Sequence, residues 1–186
     1  KFREWRVPEL TIATIIAMSV IQDEYGGSTE SALEILDAAD KEFPDEVGLI
    51  NQRAKVLFHA KRNSEALLIA NKALKLPGLS SVEFVFCCRN AGIAAVSTGE
   101  SSSWTEAERL FLLGAEKARH SNVHECMGIG LMADAAFALW KQKKYADSLL
   151  LFADTLDLLD GIPVSEDIRT RHLHATVRHS ISWLHS

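Results

Sequence analysis

Three groups of residues have types that could do chemistry, and their spacing decides what each can do. Cys87 and Cys88 are adjacent, and Cys126 is the third cysteine. A nucleophilic thiol needs a lowered pKa and a base within reach. Cys88 instead falls on an apolar helical stripe with Val85, Ala91, Gly92 and Ala95, the setting of a buried, inert cysteine. Three cysteines without a CxxC spacing make neither a disulfide framework nor a four-cysteine zinc site, so a reducing, cytoplasmic compartment is expected. His120 and His124 have the four-residue spacing of a helical ligand pair, with Cys126 close by. The tract 119–125 is polar, however, and reads as a loop or helix end, and no complete ligand set accompanies the pair. His172 and His179 share a helix face two turns apart, wider than metal pairs prefer, and His174 lies on another face. No metal is expected at either group. No glycine-rich phosphate loop, nucleophile elbow or HExxH motif occurs. The expectation is therefore a protein that is not an enzyme and takes no cofactor, with Trp104, Phe111, Phe137 and Trp140 as packing residues.

The elements that carry these residues read as helices. Hydrophobic residues make up 47% of the 186 and charged residues 24%, enough to build a core and too apolar for global disorder. Ten glycines and four prolines leave long uninterrupted stretches, which favours helix. The net charge of −5 includes no long block of one sign, so the concentrated basic face that nucleic acid requires is missing. The most apolar run, residues 12–21, contains Thr14 and Ser19 and is about half the roughly 20 residues that cross a bilayer. Neither nucleic acid nor membrane is an expected partner. The chain begins at Lys1 and stops inside an amphipathic stretch, so a fragment of a longer protein is expected.

Helix-period stripes and breakers alternate along the chain. Ile12, Ile15, Ile16 and Val20 give a first apolar face, ended by Gly26-Gly27. Ser28 or Thr29 caps a second helix, with Ala32, Leu36 and Ala39 on one stripe, which runs to about Phe43 before Pro44 stops it. Ile50, Ala54 and Leu57 form the next stripe, then Ala66, Ala70 and Ala73, closed by Leu76-Pro77-Gly78. A helix through Cys88 and Ala95 ends near Gly99, and Glu100-Ser101-Ser102-Ser103 are expected to swell the turn before Ala107, Phe111 and Gly114. Leu131, Ala135 and Leu139 mark a further helix, a turn at 141–145 follows, and residues 149–159 complete its partner. Ser165 would cap a terminal helix striped by Leu173, Val177, Ile181 and Leu184.

These helix–turn–helix units resemble tetratricopeptide repeats, a family with a 34-residue period. The residues that carry the likeness are the small ones where two helices of a unit cross. Ala54, Gly92 and Ala136 stand on the first helices, and Ala32, Ala66, Ala107 and Ser148 on the second. A large side chain there would push the helices apart. The match covers residues 13 to 162. It is good in the first two units and departs in the third, through its insertion, and in the fourth, where Ser148 and Thr155 replace alanine.

What the resemblance implies is an all-α fold, a right-handed α-α superhelix (a solenoid) of about nine helices. The expected organisation is one helical-repeat domain over 1–186, with units at about 13–46, 47–80, 85–121 and 129–162 and a terminal helix at about 165–186. It further implies a concave groove lined by the first helix of each unit, where a protein or peptide partner binds. Groove positions are then Asn51, Gln52 and Lys55, Arg89 and Asn90, and Asp134 and Phe137, with Trp140 and Lys141 on the same helix as the last pair. Amides could bond an extended peptide backbone, and Lys55 and Arg89 could hold a carboxylate. The lysine–asparagine set with which some members grip a chaperone's C-terminal carboxylates is absent: Ala17, Ile21 and Phe86 stand at equivalent positions. The expected function is a protein-interaction scaffold. The rival readings are an arm that binds nothing and positions a neighbouring catalytic or DNA-binding domain, and an enzyme using a groove pocket.

Overall fold

A computed structural model describes residues 12, 14–16, 18–20, 27–121, 123 and 125–162. Among these the fold is all-α, with helices joined by turns and no strands. The residues from 163 onward, which include Leu173, Val177, Ile181 and the histidine-rich segment, lie outside the described residues, as does His124. The chain divides into two compact units, Lys1–Gly78 and Leu79–Ser186, at the Leu76-Pro77-Gly78 breaker.

In the first unit, residues 12, 14–16 and 18–20 are helical and precede α1 (Thr29–Asp40), α2 (Val47–His59) and α3 (Asn63–Leu74). Ser28 caps α1, its hydroxyl accepting the Ser31 N–H at 3.0 Å. This helix stops at Asp40, short of the expected Phe43. The Phe43 N–H still bonds the Ala39 carbonyl at 2.8 Å, but Asp45, at φ 60°, turns the chain into α2. α2 is buried on two sides. Leu49 and Val56 join Ile15, Ala32, Leu36 and Ala39 in one core cluster. Ile50, Ala54 and Leu57 are also buried, and α2 packs on α3, whose Ala66, Ala70 and Ala73 have no exposure at all. Arg53 pins α2 to α1 through Asp37 and through Asp40 at 2.8 Å.

The second unit holds α4 (Ser81–Thr98), α5 (Ser101–Arg119), α6 (Glu125–Lys141) and α7 (Tyr145–Asp160). A reciprocal box starts α4: Ser80 Oγ accepts from the Glu83 N–H, and the Glu83 carboxylate accepts from the Ser80 N–H at 2.8 Å. Gly99, at φ 77°, ends it. The expected swollen turn is not there. Only Gly99 and Glu100 separate the helices, and Ser101–Ser103 form the first turn of α5. The extra residues lengthen the hairpin: α4 and α5 have 18 and 19 residues, against 13 and 12 for α2 and α3.

The turn between α2 and α3 and the turn between α6 and α7 have the same construction. Lys61 and Lys143 adopt φ 62° and 64°. The following N–H, of Arg62 or Lys144, reaches back to the carbonyl of Leu57 or Leu139 at 2.9 and 3.1 Å. Each is a Schellman closure with lysine at the left-handed position that usually takes glycine. The serine and threonine that replace alanine on α7 are accommodated by hydrogen bonding. Buried Ser148 donates to the Ala136 carbonyl at 2.8 Å, and Thr155 donates to the Leu151 carbonyl at 2.6 Å.

The depth of the α4–α5 crossing depends on Gly92. A methyl group there would sit 2.3 Å from Phe111 Cε1, inside the ring's van der Waals surface. Gly92→Ala is expected to destabilise the protein by about 2–3 kcal/mol, the upper range of overpacking costs. Urea unfolding measures it. Gly92→Ala with Phe111→Leu should recover part of that loss, and full additivity of the two substitutions would contradict the assigned contact.

Candidate interaction surface

The sequence-derived positions separate by burial. On α2, Lys55 is exposed and Asn51 half-buried, whereas Gln52 is 7% exposed and lies inside the packing. Its Nε2 is buried with no hydrogen-bond partner among the described residues. Gln52 falls on the 49–56 stripe that closes the core, so α2 turns that edge inward rather than toward solvent.

In the second unit, Arg89 and Asn90 stand on α4, exposed and half-buried, and Asp134 and Phe137 stand on α6. Arg89 and Asp134 come near enough to interact. Burial pushes the Asp134 carboxyl up to about 6, and the positive charge of Arg89 opposes that rise. The carboxyl therefore keeps its proton in the folded state over a pH range where the unfolded chain, with an ordinary value of 3.8, has lost it. The contribution of this group to stability is then greatest below about pH 4 and falls as pH rises through about 6, with no further change above. At about 1.4 kcal/mol per pH unit, discounted for partial exposure, the drop is about 2 kcal/mol. Asp134→Asn is expected to remove that component. Urea melts of both proteins at about pH 4.5 and 7.5 measure it, and an identical pH slope in the two would contradict the assignment.

The most distinctive surface feature lies one turn further along α6. Phe137 is 38% exposed, although sequence reasoning counted it among packing residues as well as groove positions. Its ring meets Trp104 of α5 edge-on, with centroids 6.1 Å apart at 72°, and stacks against Trp140 at 5.8 Å and 28°. The ammonium of Lys141 stands over all three rings, 4.9 Å from Trp140, 5.3 Å from Phe137 and 5.7 Å from Trp104. Phe137 and Lys141 are one helical turn apart, so their proximity follows from spacing alone. Trp104 arrives from another helix and gave no sequence signal.

Gln142, in the turn after α6, holds Trp104 in place. Its amide N–H groups donate to the Trp104 carbonyl at 3.3 Å and to Glu108 at 2.7 Å. Its amide oxygen accepts from the Thr105 hydroxyl at 3.1 Å. Lys144 also reaches Glu108, at 3.2 Å. One side chain thus ties the start of α5 to the end of α6. Gln142→Ala is expected to cost about 1–2 kcal/mol, the loss of several partly buried hydrogen bonds, and to disperse the Trp104 indole resonance. Chemical denaturation with indole N–H NMR tests both, and an unmoved Trp104 signal would refute the positioning role.

The cysteines of α4 are set apart from these surfaces by burial. Cys87 and Cys88 are wholly buried, and burial pushes the Cys88 thiol up to about 12, opposite to an activated nucleophile. Among the described residues no group of three or more His, Cys, Asp and Glu side chains could hold a metal. No helix among them is long and apolar enough to cross a membrane. A cleft of about 760 Å³ between α5, α6 and α7 is lined by Ala115, Arg119, Ile129, Met132, Leu158 and Ile162 among others, and contains none of the sequence-derived positions. Comparison with protein-family models, curated proteins and solved structures finds no match for the chain.

Proposed function

We propose that the chain is a non-catalytic, cytoplasmic protein-interaction scaffold of tetratricopeptide type. Within each compact unit it offers a protein or peptide partner the first helices of its repeats, α2 in the first unit and α4 and α6 in the second. The observation that carries this reading is exposed Phe137, which with half-buried Trp140 stands at ligand-facing positions the repeat register assigns to α6 and is met edge-on by half-buried Trp104 of α5. Aromatic side chains exposed together are unfavourable unless a partner covers them, and they dominate the energetics of interfaces when one does. Exposed Arg89 and the half-buried amide of Asn90 on α4 are the polar groups of the same unit that a bound backbone or carboxylate could use.

The test is charge reversal at Lys55 and Arg89, one in each compact unit. The double variant is expected to lose at least about fivefold in partner capture while its helical circular dichroism is unchanged, because exposed charges contribute to binding far more than to folding. Undiminished capture by a folded double variant would overturn this reading.

A further inference from the structure

We propose that the Trp104–Phe137–Trp140 cluster is a cation-recognition site, held closed by Lys141, whose ligand is a trimethylated lysine side chain of the protein partner. The proposal rests on the scaffold reading for the kind of partner and on the geometry for its chemistry. The rings already hold a cation. Lys141 Nζ lies 4.9–5.7 Å from three centroids, inside the distance at which a ring quadrupole attracts positive charge. The rings come from two helices, and Gln142 ties the α5 backbone at Trp104 to the end of α6, so the helices that carry the rings are held together before any ligand arrives.

An exchange argument selects the ligand. A primary ammonium is compact and strongly hydrated, and Lys141 is exposed, so its hold on the rings is weak. A partner's unmodified lysine would trade like for like and still bear the entropy of association. A trimethylammonium has already lost its N–H hydration, offers methyl groups to three ring faces and keeps its charge. When it enters, Lys141 returns to water. The net charge of the chain, −5, does not oppose a cation. Lys141 thus lowers the apparent affinity without abolishing it, as any competing occupant does.

The experiment titrates the 186-residue chain with three glycine-flanked peptides alike except at one residue: trimethyllysine, lysine or norleucine. Choline chloride is the fourth probe, and the indole N–H signals of Trp104 and Trp140 report binding. The trimethyllysine peptide is expected to move both signals and to bind about tenfold tighter than the lysine peptide, with choline between the two and norleucine weakest. Lys141→Ala should tighten trimethyllysine binding by about three- to tenfold, and Phe137→Leu in that background should weaken it by at least about fivefold. Equal binding of the norleucine peptide would overturn the proposal in favour of a plain apolar patch. Choline as tight as the peptide would overturn the protein source, and unmoved indoles in Lys141→Ala would overturn the site. The peptide comparison needs no substitution within the cage, so a poorly folding Phe137→Leu leaves it decisive. If trimethyllysine fails while the Lys55/Arg89 double variant still loses partner capture, this inference falls and the scaffold reading stands.

Discussion

The approach of helix backbones at residues with little or no side chain is the constraint on which the second unit depends. Gly92 lies beneath the Phe111 ring, and a methyl group at Gly114 would come within 2.9 Å of both Cys88 and Leu131. α5 is thereby held close to α4 on one side and α6 on the other. Nothing larger fits at these points, and dispersion contacts reward the fit only if nothing intrudes. The first unit meets the same requirement with alanine, at Ala66, Ala70 and Ala73 on α3. The cage inherits this geometry. Trp104 sits on the second turn's edge of α5 and reaches Phe137 because α5 packs at that depth against α6.

Most polar groups drawn into this packing are satisfied, with Ser19 Oγ and Gln52 Nε2 among the exceptions in the described residues. Ser148 and Thr155 bond to helix carbonyls, so hydroxyls take the place of methyl groups without a desolvation penalty. Arg53, with only 15% of its side chain exposed, engages two carboxylates of α1. Gln52 differs, with a buried Nε2 that finds no acceptor among the described residues. Its neighbours on the stripe, Leu49 and Val56, are fully buried, so the packing of α2 carries the glutamine inward at a cost that the surrounding apolar burial offsets.

Two kinds of surface chemistry occur on the first helices of the second unit. Burial raises the half-buried Asp134 carboxyl to about 6, a rise that the positive charge of Arg89 opposes. Beside it, Phe137 and Trp140 of α6 and Trp104 of α5 gather under the Lys141 ammonium. Charged and apolar groups thus lie close together along α6.

The sequence by itself determined what depends on neighbours along one helix. The stripes at Ala32, Leu36 and Ala39, and at Ala66, Ala70 and Ala73, follow from 3.6-residue periodicity, and the Ser28 and Ser80 caps from local hydrogen-bonding chemistry. The all-α class follows from the same signals. Only the tertiary structure decided where separate helices meet. The residues after Gly99 could swell a turn or extend a helix with equal local plausibility, and the long α4–α5 contact resolved this toward helix. Gln52, Lys55 and Asn51 read alike on a helical wheel, yet α2 packs on two sides and so buries one of the three. Trp104 and Phe137 are 33 positions apart in the chain, and no periodicity couples them. Their meeting depends on the spacing and rotation of two packed helices, which side chains at other positions set.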